Sequence, residues 1–177
     1  MAVCIDSYSE TLHHTAMKNL ICFALLLLSL SVSAETISGR VVGISDGDTV
    51  TVLDSTNTQY KIRLAGIDAP EKKQAFGNVA KKTLSDLIYD KQVDVSYSKL
   101  DRYQRVVGKI LLGSQDVNLA MIKAGMAWHY RKYQKEQPFE DRLNYLQAEV
   151  AAKEQKRGLW VDAEPIAPWD FRKAKRE

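Results

Sequence analysis

The strict alternation in Gln59-Tyr-Lys-Ile-Arg-Leu64 limits the fold more than any other feature. Tyr60, Ile62 and Leu64 share one face, and Gln59, Lys61 and Arg63 share the other. A period of two predicts a strand with one buried side. Residues 49–53, Thr-Val-Thr-Val-Leu, alternate in the same way and are rich in β-branched side chains. Residues 37–44, 92–97 and 106–112 are further strand segments, and Asp54-Ser-Thr-Asn-Thr58 reads as a turn. The first three strands form a β-meander. Helical spacing appears in three places. Phe76, Val79, Ala80, Thr83, Leu84 and Leu87 make one stripe over residues 76–88. Asn118 is placed to cap a short helix through Lys123 that Gly125 stops. A last helix is predicted over residues 139–156, ended by Gly158, with Leu143, Leu146 and Val150 as core positions and Leu159 following in the core. Five strands and three helices make a β-rich α+β domain.

The first 34 residues are of another kind. No charge lies between Lys18 and Glu35, and the gap holds an apolar run from Leu20 to Leu30 followed by Val32-Ser33-Ala34. A basic flank, a short apolar run and a small-residue end predict a secretory signal over residues 1–34. The run is shorter than the roughly 20 residues of a spanning helix. The expected destination is therefore the periplasm or the medium, without stable membrane association. Met17-Lys18-Asn19 before the run already completes such a signal, so Met17 is an alternative start. Cys4, Cys22 and every histidine except His129 lie in this leader. The rest of the chain thus has no disulfide, no thiolate metal site and no basis for zinc, and it must be held by an ordinary core. The chain carries a net +3, a mild bias toward anionic partners. The domain is expected over residues 35–163. The prolines in Glu164-Pro-Ile-Ala-Pro-Trp-Asp170 predict an extended tail over residues 164–177, ending in a solvated basic run, Arg172-Lys-Ala-Lys-Arg176.

Three charged clusters carry the chemistry. Asp46-Gly47-Asp48-Thr49 precedes a strand, Arg63-Leu-Ala-Gly-Ile-Asp68-Ala69-Pro-Glu71 follows one, and Asp101-Arg-Tyr103-Gln104-Arg105 lies between two. Asp48, Asp68 and Glu71 are hard oxygen donors of the kind calcium takes. Arg63 and Arg105 carry planar forks that match phosphate oxygens. Each cluster alone also has a plainer reading: Asp-Gly-Asp as a turn, Arg63 as a solvated strand residue, and residues 101–105 as a charged loop. Together they point to a metal-bound phosphate, because phosphodiester cleavage builds negative charge that a divalent ion and arginines stabilise.

In this order the motifs resemble the staphylococcal nuclease family, over residues 37–160. Asn118-Leu-Ala-Met-Ile-Lys-Ala-Gly125-Met-Ala127 and Gly158-Leu-Trp160 extend the resemblance. It implies an OB-fold five-stranded β-barrel with three α-helices, a scaffold often used for nucleic acids. It implies calcium (Ca2+) held by Asp48, Asp68 and the backbone carbonyl of Ala69. Arg63 and Arg105 match the arginines that grip the phosphate, and Glu71 the glutamate that orients or activates water. Tyr103 and Tyr133 match tyrosines near the bound nucleotide. The implied reaction is hydrolysis of DNA and RNA, single strands preferred, giving 3′-phosphates, by a monomer. Ionised carboxylates are needed for it, which predicts an alkaline optimum. The alternatives are a non-catalytic nucleic-acid-binding OB module and a calcium-stabilised structural domain; the latter leaves the two arginines without a role.

Two departures stand out. Gln104 occupies a position where glycine is usual, at a cost of roughly 1 kcal/mol if the backbone there is left-handed. Residues 72–75 are shorter than the exposed loop that helps shape the substrate entrance in the family's best-known member, a difference that bears on substrate preference. Tyr89 and Tyr97 are read as structural, and Trp160 and Trp169 as packing residues.

Overall fold

The computed structural model describes residues 35–176; the expected signal lies outside them. The chain runs β1 (Glu35–Ile44), β2 (Thr49–Asp54), β3 (Gln59–Leu64), β4 (Ile67–Asp68), α1 (Gly77–Ile88), β5 (Gln92–Leu100), β6 (Val106–Leu112), β7 (Gln115–Asp116), α2 (Val117–Lys123) and β8 (Trp128–His129). A 3-10 turn (Arg131–Glu136), α3 (Phe139–Glu154), a second 3-10 turn (Gly158–Val161) and α4 (Pro168–Ala174) complete it.

Every predicted long strand is present. They hydrogen-bond in the order β3-β2-β1-β5-β6, and β3 closes onto β6 through the parallel pairs Ile62↔Val106, Arg63↔Val107 and Leu64↔Gly108. The result is a closed five-stranded barrel, the OB-type β-rich α+β fold, and closure leaves no long open edge. Register shifts between Val41 and Gly43 in β1 and between Tyr97 and Lys99 in β5 mark bulges. Such bulges bend strands enough for so few to close. The alternation does its work inside: Val41, Val50, Val52, Ile62, Leu64, Val95 and Ile110 are buried.

The helices differ from expectation in detail. On α1, Gly77, Ala80, Leu84 and Ile88 face the core, while Val79 is exposed. Helix α2 is capped by Asp116, whose carboxylate accepts the Leu119 N–H at 2.9 Å. Asn118 is instead wholly buried. Its Oδ1 accepts the Ile110 N–H at 3.1 Å, and its Nδ2 donates to the carbonyls of Ala65 at 2.9 Å and Gly108 at 3.2 Å. On α3 the expectation of a Leu143, Leu146 and Val150 core face fails: all three are exposed, and Tyr145, Ala148, Glu149 and Ala152 are buried. The alanines allow close approach, and the polar groups on this face are paired. Tyr145 donates to Asp116 at 3.0 Å, and Glu149 accepts the His129 N–H at 3.0 Å.

The tail also departs from an extended chain. Pro168 is the first helical residue of α4. There its missing N–H costs nothing and its fixed φ favours helix. Asp170 in the first turn and Arg172 and Lys173 in the last complement the helix dipole. No helix among the described residues is long and apolar enough to cross a membrane.

Candidate functional site

The loop between β1 and β2 places Asp48. Asp46 accepts the Asp48 N–H at 3.1 Å, and the Ser45 N–H donates to the Thr49 carbonyl at 2.8 Å, forming a tight turn. Gly47 is required by packing. A Cβ there would stand 2.7 Å from the Ala69 Cβ and 2.8 Å from the Ala80 Cβ. The loop therefore lies directly on α1 and on the chain following β4. This contact lets the Ala69 N–H donate to Asp48 Oδ2 at 2.7 Å.

Asp68 comes from β4, which pairs with β8 through Ile67↔His129 and Asp68↔Trp128. Arg63 joins the two acids. Its guanidinium lies 2.9 Å from Asp48 Oδ2 and 2.8 Å from Asp68 Oδ1. The Asp48 and Asp68 side chains are only 9% and 1% exposed. Burial pushes the Asp48 carboxyl up to about 7, with Arg63 pulling it back and Asp46 and Asp68 pushing the same way as burial. Desolvated carboxylates held close together favour a further positive charge.

Glu71 follows in the turn that leads to α1. Its N–H donates to Gln74 Oε1 at 3.1 Å, and its carbonyl accepts the Gln74 N–H at 2.8 Å. Gly77 makes room for this turn, since a Cβ there would fall 2.0 Å from the Glu71 carbonyl oxygen. A residue from the far end of the chain meets Glu71. Arg172 on α4 donates through one nitrogen to Glu71 Oε1 at 2.7 Å and through the other to Asp68 Oδ2 at 2.7 Å. Sequence reasoning left Arg172 in a solvated tail. Proline opening a helix, an acid in its first turn and bases in its last were the available signals.

Arg105 belongs to the β5–β6 loop. Asp101 organises it, accepting the N–H groups of Tyr103 at 2.8 Å and Arg105 at 3.0 Å on one oxygen and Arg105 Nε at 2.8 Å on the other. Burial raises the Asp101 pKa, but these donors outweigh it and hold the carboxyl below its ordinary value. Gln104 has φ 61, so the left-handed backbone that favours glycine is present. Arg105 and Tyr103 line a cavity of about 250 Å³ with Ser45, Asp46, Thr49 and Lys61. Thr49 pairs with Arg63 across β2 and β3, so this cavity adjoins the acid cluster. Lys61 is an unforeseen cation here; its place on the polar face of β3, two residues before Arg63, was the signal. Tyr103 is exposed, with the Arg105 guanidinium 5.6 Å from its ring. Tyr133 is also exposed, in the first 3-10 turn beneath Lys99 at 5.2 Å, and borders neither this cavity nor the one beside Trp128 and Trp169.

Among the described residues no three Asp, Glu, His or Cys side chains form a ready-made metal cage. Asp48 and Asp68 do converge on Arg63, and the Ala69 N–H donates to Asp48. Hard oxygens of this kind, completed by water and substrate, fit calcium rather than a softer metal.

Sequence comparison places these features among known proteins. A model of the family described as staphylococcal nuclease homologue matches residues 61–162. A Haemophilus influenzae protein named an uncharacterized endonuclease is 44% identical, over 90% of this chain and 88% of its own length. A similarly named Escherichia coli protein is 41% identical over 90% of this chain and its entire length. The Micrococcal nuclease of Shigella flexneri is 36% identical over 91% of this chain and 94% of its own. With the closed barrel and the Asp48–Arg63–Asp68 cluster, matches of this extent make the chain a member of the staphylococcal nuclease homologue family.

Proposed function

We propose that the protein is an exported, calcium-dependent nuclease that hydrolyses phosphodiester bonds in DNA and RNA and leaves 3′-phosphate ends. One arrangement carries the reading: Asp48 and Asp68, both buried, share Arg63, and Glu71 stands beside Asp68. The names of the relatives, endonuclease and Micrococcal nuclease, support the reaction class. Export rests on the leader pattern of residues 1–34.

Asp48, Asp68 and the Ala69 carbonyl are the residues that would hold calcium. When bound, the ion supplies positive charge against the scissile phosphate. Arg63 and Arg105 donate through their planar forks to the non-bridging oxygens, where charge grows in the transition state. Glu71 is 38% exposed, the most open of the three acids, and is the group suited to take a proton from the attacking water. The water oxygen bonds to phosphorus as the bond to the 5′ oxygen breaks. Tyr103, beside Arg105, offers a ring to the nucleotide; Tyr133 is assigned the same role farther out. Single strands suit such stacking, and a monomer holds every residue named.

The test is cleavage of single-stranded DNA by the purified protein, with calcium and with a chelator. Glu71→Gln and Arg105→Ala should each lower the rate about 100-fold or more while the circular-dichroism spectrum is kept. Arg63→Ala is less clean, since it strips two buried carboxylates of their partner. Tight binding of DNA in calcium without cleavage would refute the enzyme and favour the OB binding module.

A further inference from the structure

One guanidinium lies on the site without a part in this reaction. Arg172 Nη2 is 2.7 Å from Asp68 Oδ2, and Nη1 is 2.7 Å from Glu71 Oε1 and 3.2 Å from Asp68 Oδ1. Burial works against its charge, but the hydrogen bonds to Asp68 and Glu71 outweigh it and raise its pKa above the ordinary arginine value.

The contact has a dedicated support. Trp169, three residues earlier on α4, stacks on Tyr130 at 5.5 Å and 26°, and meets Trp128 edge-on at 5.6 Å. Trp128 meets Trp160 edge-on at 4.3 Å. Ahead of the helix, the Ile166 carbonyl accepts Gln74 Nε2 at 2.6 Å, and Gln74 Oε1 in turn accepts the Glu71 N–H. Ala167 and Pro168 are buried. The aromatic stack and the Gln74 latch together fix α4 over the acids.

A cation at Asp68 needs the Oδ2 lone pair that Arg172 occupies, and the same side chain takes one of the two Glu71 oxygens. We propose that Arg172 is an internal competitor for the divalent cation: docked on α4, it stands in for the ion at Asp68, ties down one oxygen of Glu71, and must withdraw before calcium binds. Arg172 thereby sets the cation affinity of the site and the calcium level at which it switches on. The inference rests on the reading of Asp68 as a calcium ligand. It needs only the side chain to leave, and the Trp169 stack stays docked.

Calorimetric titration of calcium into the purified wild type, Arg172→Gln and Trp169→Ala tests it. A competitor engaged nine-tenths of the time weakens apparent affinity about tenfold. Arg172→Gln should therefore bind calcium about tenfold more tightly than wild type, and Trp169→Ala, which loosens the support, should also bind more tightly but by less. Folding of each variant is checked by circular dichroism, and if Arg172→Gln does not fold, Trp169→Ala carries the comparison. Equal or weaker calcium binding in the variants overturns the competitor and leaves the calcium reading standing. Absence of calcium binding in wild type and variants alike overturns both.

Discussion

Asn118 closes the barrel from inside, and removing it should be among the more damaging single changes in the domain. Its side chain serves Ile110 on β6, Gly108 on β6 and Ala65 between β3 and β4. In Asn118→Ala the Gly108 carbonyl keeps the Ala65 N–H at 2.8 Å. The Ile110 N–H loses its side-chain partner in a buried site, and the Ala65 carbonyl loses its own in a part-buried one. Each buried group left unpaired costs roughly 1–3 kcal/mol, so the loss is about 3 kcal/mol. With a urea m-value of about 2 kcal/mol/M, the unfolding midpoint should fall by about 1.5 M. Asn118→Asp separates the two halves of the role. It keeps an acceptor for Ile110 but turns an oxygen toward two carbonyls, and at neutral pH it should lose at least as much as alanine. Urea melts followed by tryptophan fluorescence measure both. An Asn118→Ala loss below about 1 kcal/mol would refute the reasoning, because it would mean these groups find water or other partners.

Two further changes test other parts of the account. Gln104→Gly relieves a left-handed residue whose side chain is exposed, and should stabilise by up to about 1 kcal/mol, raising the thermal midpoint by about 3 °C; a lower midpoint would show that Gln104 makes a contact worth more than the strain. His129 is buried with its pKa lowered from 6.5 by that burial, so the folded state resists a proton that the unfolded chain accepts. Its cost is absent well above 6.5 and grows as pH falls below 6.5. His129→Gln should lose less stability than wild type between about pH 7.5 and pH 5.5, and equal acid slopes in urea melts would exclude His129 as the source.

Much of the fold was legible because strand periodicity is local. Residues 59–64 declare their two faces without help from the rest of the chain, and the five strands so marked are the five that close. The clusters around Asp48, Asp68 and Arg105 were equally visible, because their motifs are short and the turns that present them are built from adjacent residues, as Asp101 is with Tyr103 and Arg105. Tertiary structure decided what depends on distant partners. Periodicity on α3 marks two possible faces, and the one with Tyr145 and Glu149 wins because Asp116 and the His129 N–H wait for it. Asn118 looks like a helix cap until β6 and Ala65 offer it three better partners. Arg172 reads as a solvated base because its acids lie about a hundred positions away, at separations of 104 and 101 residues. The sequence by itself determined the barrel and the clusters of acids and arginines; only the fold decided that Arg172 sits on Asp68 and Glu71, since burial and long-range pairing are properties of the packed chain.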